Sequence, residues 1–189
     1  GGYLMATGSV TAWNMPNKLN FLYTVPMFHC NGWCYPWTLA MLHARVICIR
    51  NIRAKEIFEL ISEHKITHFG GAPIILNMLA NAPKEEQIKL NHKVYVLTAA
   101  APPPSIIFKK MKELGFEVMH VYGLTETYGH ILQCAWNSAW DELNEDEKAD
   151  ISSRQGVRYP NTEDVKVMNP ENMKTVPNDG KTIGEIMIR

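Results

Sequence analysis

From Phe21 to about Thr127, short β-branched or apolar runs alternate with stretches of helical period, and no other feature narrows the possible folds as far. Phe21-Leu22-Tyr23-Thr24-Val25 reads as a strand closed by Pro26. Gly32 to His43, apolar around most of its circumference, reads as a helix buried on more than one side. Arg45 to Ile49 predicts a second strand. Ala54 to His64 predicts a helix with Ile57, Leu60 and Ile61 on one face and Lys55, Glu59 and Glu63 on the other. Thr67-His68-Phe69 is a short strand broken by Gly70-Gly71, and Pro73 stands where the next helix can begin. Val94 to Thr98 is a strand, Pro104-Ser105 opens a helix that Gly115 ends, and Phe116 to Tyr122 is a strand again. Strand, helix and strand in this order imply βαβ units, because parallel neighbours need a crossover; the expected class is α/β with a parallel sheet.

After about Gln133 the character changes. Asp141 to Asp150 is acid-rich, and a solvated helix face explains it better than a metal patch. Between Glu163 and Arg189 short β runs alternate with turn signals such as Asn169-Pro170 and Asp179-Gly180. The expected organisation is therefore an α/β unit over 1–160 and the start of a β-rich subdomain over 161–189.

Lys plus Arg and Asp plus Glu each number 19, so the formal charge is zero, which argues against a nucleic-acid or polybasic membrane binder. Leu19 to Ala44 contains no Lys, Arg, Asp or Glu. Pro26, Asn31, Gly32 and Pro36 interrupt it, so a transmembrane span is not expected. Four scattered cysteines form no disulfide framework and favour a reducing cytoplasm. The opening Gly1-Gly2, without a Met, suggests an internal segment of a longer protein.

In an open parallel sheet, ligands bind beyond the carboxyl ends of the strands. That rule selects Ala99-Ala100-Ala101-Pro102-Pro103-Pro104, after strand 94–98, and Gly123-Leu124-Thr125-Glu126-Thr127, after strand 116–122. The first loop is small enough for a flat group to lie against its backbone. The second offers an aromatic ring at Tyr122, a flexible Gly123, hydroxyls and one carboxylate. Such a set suits a nucleotide with magnesium, which commonly takes one or two carboxylates and completes its shell with water and phosphate oxygens.

Val121-Tyr122-Gly123-Leu124-Thr125-Glu126-Thr127 resembles the YGxTE signature of the adenylate-forming superfamily. Pro26-Met27-Phe28-His29-Cys30-Asn31-Gly32-Trp33 resembles the aromatic-His segment of its fatty and medium-chain acyl-CoA synthetase branch, and Thr98 to Pro102 the adenine-side loop between them. The resemblance runs over essentially the whole chain, in order and in spacing. It implies that Tyr122 packs on adenine, that Ala99, Ala100, Ala101 and Pro102 border the base, and that Gly123 and Gln155 belong to the nucleotide site. By the same resemblance Thr125 holds the α-phosphate and Glu126 coordinates Mg²⁺. His29 would lie where the acyl and pantetheine channels meet, Trp33 would gate the acyl pocket, and Gly129 and His130 would border it.

The implied reaction joins a carboxylic acid to ATP with release of pyrophosphate, then passes the acyl group from the acyl-adenylate to coenzyme A, with ATP, AMP and Mg²⁺ as nucleotide and metal. The resemblance also admits 3-methylmercaptopropionate as the acid, a carrier protein as the acceptor, and a homodimeric parent. The chain departs from the pattern at Ala100, where relatives often carry Gly, and at Val157-Arg158-Tyr159, where they often continue with prolines. The phosphate loop would lie upstream, and the ribose-binding segment and catalytic Lys downstream. The implied status is thus an internal piece of the N-terminal domain, inactive as a ligase by itself.

Each role has a plainer competitor. Glu126 could cap a helix, Tyr122 could be a core-edge aromatic, and His29 could be a satisfied core histidine. The 30–34 cysteine pair has zinc-like spacing, but no second pair answers it, so buried thiols are the expectation. A different class altogether, a non-catalytic nucleotide- or acyl-binding module, also fits the residues present.

Overall fold

The computed structural model describes residues 1–189. A seven-stranded sheet forms the centre, in the order β2-β1-β3-β4-β5-β6-β7. Its strands are β1 (Asn20–Tyr23), β2 (Arg45–Cys48), β3 (His68–Gly70), β4 (Val94–Thr98), β5 (Phe116–Leu124), β6 (Gly129–Gln133) and β7 (Val157–Arg158). The first five are parallel, as the alternating pattern requires. The last two run antiparallel, because β5 returns through a single tight turn that cannot hold a crossover helix.

Period-two alternation sorts side chains between two cores. On one face Leu22, Phe69, Val96 and Phe116 meet α4 (Ala54–His64), α5 (Pro73–Ala80) and α6 (Ser105–Glu113). On the other, Phe21, Tyr23, Leu97 and Val121 meet Trp13 at the end of α1 (Gly2–Ala12) and Tyr35 and Leu39 of α3 (Tyr35–Met41). A helix α7 (Glu145–Ser152) packs on α6. It begins at Asn144, whose side chain accepts from the Asp146 and Glu147 amides while the Glu147 carboxylate accepts from the Asn144 amide, a reciprocal capping box. This is the acid-rich stretch, and its carboxylates face solvent beside Lys109 and Lys148. The hairpin of β8 (Val165–Met168) and β9 (Glu185–Ile188) forms a separate two-stranded sheet.

Three expectations need correction. The helix expected over Gly32 to His43 is two pieces. Cys30–Trp33 (α2) is one turn, and the right-handed α3 starts only at Tyr35, because Cys34 between them is left-handed at φ 63°. Trp37, within the stretch read as buried on more than one side, is half exposed. A first helix, α1, forms where no element was assigned: Gly1, Gly2 and Gly8 dilute helix propensity, and its apolar residues follow no single face. Tertiary packing supplies what propensity lacks, since a side chain at Gly8 would strike Asn161 at 2.7 Å.

Candidate active site

The strand order reverses between β1 and β3, so their carboxyl ends open the crevice characteristic of doubly wound sheets. Thr24, just past β1, donates its hydroxyl to the Gly70 carbonyl at the end of β3. The indole of Trp33 closes over the same glycine, where an added Cβ would stand 3.3 Å from it. Trp33 is buried, and its ring meets His130 of β6 edge-on, with centroids 5.6 Å apart. His29 is exposed, and its carbonyl accepts from the Trp33 amide at 3.2 Å.

The chain reaches Trp33 by an unusual route. Cys30, Asn31, Gly32, Trp33 and Cys34 have φ values of 44°, 45°, 59°, 56° and 63°, a left-handed turn of five residues. For residues other than glycine this conformation costs roughly 1–2 kcal/mol each and normally occurs singly. Gly32 is the residue suited to it, and Asn31 is the best of the remainder. The Gly32 carbonyl accepts from the Tyr23 hydroxyl at 3.0 Å, which ties the turn to β1.

On the other side of the site, β4 and β5 pair in parallel with Thr98 opposite His120. The alanine loop therefore leaves the sheet alongside Val121 and Tyr122. Ala99 is buried, whereas Ala100, Ala101 and Pro102 are exposed, and Ala100 takes a φ of 86°. The structure thus keeps an alanine in a glycine-like conformation within this loop.

Tyr122 is half-buried on β5, and a register shift falls between it and Gly123. Thr125 to Thr127 then form a short 3-10 turn, fastened by Thr127, whose hydroxyl accepts from the Leu124 amide and reaches the Gly129 carbonyl at 2.8 Å. This turn presents Thr125 and Glu126 to solvent at the carboxyl edge of the sheet. Gly129 follows at φ 137°, with the Met5 side chain where its own would be.

Gln155 follows a segment that His120 anchors to β5. The buried His120 donates from Nδ1 to the Ser153 and Arg154 carbonyls at 2.9 and 3.1 Å, drawing the loop after α7 against β5. Cys134 adds a bond from its thiol to the Ile151 carbonyl at 3.2 Å. The Gln155 Oε1 and Thr98 Oγ1 atoms are buried without a protein partner. The Thr98 Oγ1 atom adjoins the alanine loop, and with the exposed carboxylate at Glu126 it gives a polar set that suits a nucleobase at one end and a phosphate-bound Mg²⁺ at the other.

The candidate residues at the carboxyl edge thus divide into an acid-side group (His29, Trp33, Gly129, His130) and a nucleotide-side group (Ala99, Ala100, Ala101, Pro102, Tyr122, Gly123, Thr125, Glu126), while Gln155 stands before β7, next to Gly156, which packs on Gln133 and Cys134. A cavity of about 510 Å³, lined by Trp13, Tyr95, Phe108 and Trp136 among others, opens elsewhere, along the part of β5 that β4 pairs and β6 does not, and includes none of the candidate residues. Sequence reasoning missed Gly70 under Trp33, Thr24, and the role of Cys30, whose thiol lies 3.4 Å from the Thr125 hydroxyl. The Asn31-Gly32 pair was the available signal for a left-handed turn.

Burial holds the pKa of His130 down at about 4, and its Nδ1 has no partner. The unfolded chain therefore binds the proton more readily between pH 6.5 and pH 4, and stability falls across that window on acidification. The contribution of His130 to the loss is about 3 kcal/mol. Urea denaturation of the wild-type chain at pH 7 and pH 4, set beside His130→Phe, checks this: the loss should shrink by that amount in the variant, and equal losses would refute it.

An α/β sheet with an aromatic–hydroxyl–carboxylate loop and a small-residue loop at adjacent strand ends has the layout of nucleotide-binding scaffolds. The family model for AMP-binding enzymes matches residues 2–189, and the chain belongs to that adenylate-forming family. It is 49% identical over its whole length to a peroxisomal acetate/butyrate–CoA ligase of Arabidopsis thaliana, of which it covers 33%. An acetate–CoA ligase of Humulus lupulus is 47% identical over the whole chain, with 34% of that protein covered, and a 2-methylpropanoate–CoA ligase from the same plant is 42% identical, again with 34% covered. The chain therefore spans about a third of the length of these relatives.

Among solved structures, Bacillus subtilis o-succinylbenzoate coenzyme A synthetase in complex with ATP and magnesium superposes with a TM-score of 0.79 at 18% identity, over 100% of this chain and 36% of that one. The N-terminal domain of FACL13 from Mycobacterium tuberculosis gives 0.76 at 22% identity, covering 90% and 41%. The sheet is thus that of acyl-CoA synthetase N-terminal domains, followed by an antiparallel pair. No helix is long and apolar enough to cross a membrane.

Proposed function

We propose that the protein containing this chain is an ATP-dependent acyl-CoA synthetase that activates a small carboxylic acid as its acyl-adenylate and transfers it to coenzyme A. The parallel register of β4 and β5, which pairs Thr98 with His120 so that the alanine loop and the segment bearing Tyr122, Thr125 and Glu126 leave neighbouring strands in the same direction, is the observation that supports this reading. Within the proposal, residues 1–160 form the α/β part of the N-terminal domain, and 161–189 begin a β-rich subdomain.

The Tyr122 ring flanks the base, and Ala99 to Pro102 leave room for its edge. Gln155 supplies an acceptor for an amino group on that base. The Thr125 hydroxyl donates to an α-phosphate oxygen, and the Glu126 carboxylate holds Mg²⁺, which neutralises phosphate charge as pyrophosphate departs. His29 stands at the entrance to the acid side, where Trp33, Gly129 and His130 bound the pocket. Trp33 packs down over Gly70, which favours a short acid over a long one, and the relatives named for acetate, butyrate and 2-methylpropanoate support the same choice.

All four cysteines are free, which supports a reducing compartment such as the cytoplasm; the Arabidopsis relative is named peroxisomal. A homodimeric parent also belongs to the proposal. Exchange of labelled pyrophosphate into ATP by the full-length parent is the test. Acetate or butyrate should support exchange, and AMP release should then require coenzyme A. Release dependent on a carrier protein instead would transfer the reading to a peptide-synthetase-type adenylation domain. No exchange with any acid would leave a binding module.

A further inference from the structure

Each end of the left-handed turn is tied to one residue of the phosphate-side loop. The Asn31 side-chain amide donates to the Tyr128 hydroxyl at 3.0 Å, and the Cys34 thiol donates to the Tyr128 carbonyl at 3.3 Å. Tyr128 closes the 3-10 turn that carries Thr125 and Glu126, its amide donating to the Thr125 carbonyl at 3.0 Å, and it is itself left-handed at φ 53°. Between these ties lie the Cys30–Thr125 contact at 3.4 Å and the edge-on Trp33–His130 pair. Five successive positive φ values have no intrinsic preference to recommend them, so the surrounding structure must impose them.

We infer that Tyr128 is a positioning residue that locks the 30–34 turn onto the phosphate-side loop, so that the acid-side residues His29 and Trp33 keep a fixed placement relative to Thr125 and Glu126. It rests on the ligase reading and adds the coupling between its two halves. Tyr128 touches neither substrate in this role. It acts through Asn31 and Cys34, and releasing it lets the turn relax toward right-handed geometry and carries the Trp33 indole off Gly70. The acid then loses its wall while the nucleotide keeps its own contacts.

The full-length parent tests this by pyrophosphate exchange. Tyr128→Phe removes the hydroxyl and keeps the ring, and one hydrogen bond corresponds to about a threefold to tenfold rise in KM for the acid. KM for ATP should stay within about twofold. Asn31→Ala should behave alike, and the double variant should be no worse than either single one, since both remove one bond. Asn31→Asp should restore the wild-type KM, because a carboxylate accepts from the Tyr128 hydroxyl and Asp tolerates a left-handed backbone. An unchanged acid KM in Tyr128→Phe, equal rises for acid and ATP, or additive effects in the double variant would each overturn the inference. If the wild-type parent shows no exchange at all, the ligase reading falls separately. Chymotryptic cleavage after the exposed Phe28 then decides the lock: faster cutting in Tyr128→Phe than in wild type supports it, and equal rates reject it.

Discussion

Glu126→Gln in the full-length parent should lower acid-dependent pyrophosphate exchange by about 10²–10³, the usual effect of losing one preorganised group that answers developing phosphoryl charge. The substitution is nearly isosteric, and the turn it sits in is held by Thr127 and Tyr128 rather than by the carboxylate. Glu126 is exposed, so folding should be untouched, with stability within about 0.5 kcal/mol of wild type. The variant should also need more magnesium for half-maximal rate. Titrating Mg²⁺ at fixed ATP therefore separates loss of a metal ligand from general damage. A drop of less than fivefold with an unshifted magnesium curve would remove Glu126 from the metal site and leave it as an ordinary turn residue.

Gly123→Ala should cause the largest structural loss in the site. A Cβ there would press into the Gly129 carbonyl oxygen and stand 2.7 Å from its carbon and 2.9 Å from His130 Cα. These are backbone atoms of β6, so no rotamer change relieves the clash. Either β6 shifts out of its pairing or the register break between Tyr122 and Gly123 spreads. Overpacking of this kind costs about 3 kcal/mol. With a urea m-value of roughly 2 kcal/mol/M, the midpoint of the 189-residue chain should fall by about 1.5 M. Because β6 carries Gly129 and His130, the parent should also lose activity toward the acid. An unchanged midpoint would mean that the close approach of β5 and β6 is not required, and with it the geometry assigned to the loop between them.

The helix over Ala54–His64 and the strand over Val94–Thr98 match the bounds expected from sequence. Both rest on local signals that burial reinforces: a one-sided apolar stripe for the helix, a β-branched run between turn residues for the strand. The placement of Tyr122 to Thr127 at the end of β5 was legible to a similar degree, because these residues are contiguous and lie at a strand end that the parallel-sheet rule selects. The course of the chain around Trp33 was less legible. Gly32 to His43 had an unbroken apolar surface, and its helical period concealed a reversal of backbone hand at 30–34. Contacts to residues distant in sequence, Tyr23, Gly70, Thr125, Tyr128 and His130, hold that reversal in place.

The order of elements, the parallel sheet and the position of the 122–127 segment at a strand's carboxyl end followed from the chain alone, because periodicity and turn chemistry act between near neighbours. Which groups meet across the crevice was decided by tertiary structure. Asn31 and Tyr128, or His120 and the Ser153 carbonyl, are brought together by strand order and packing, and their separation along the chain leaves no local trace of the pairing.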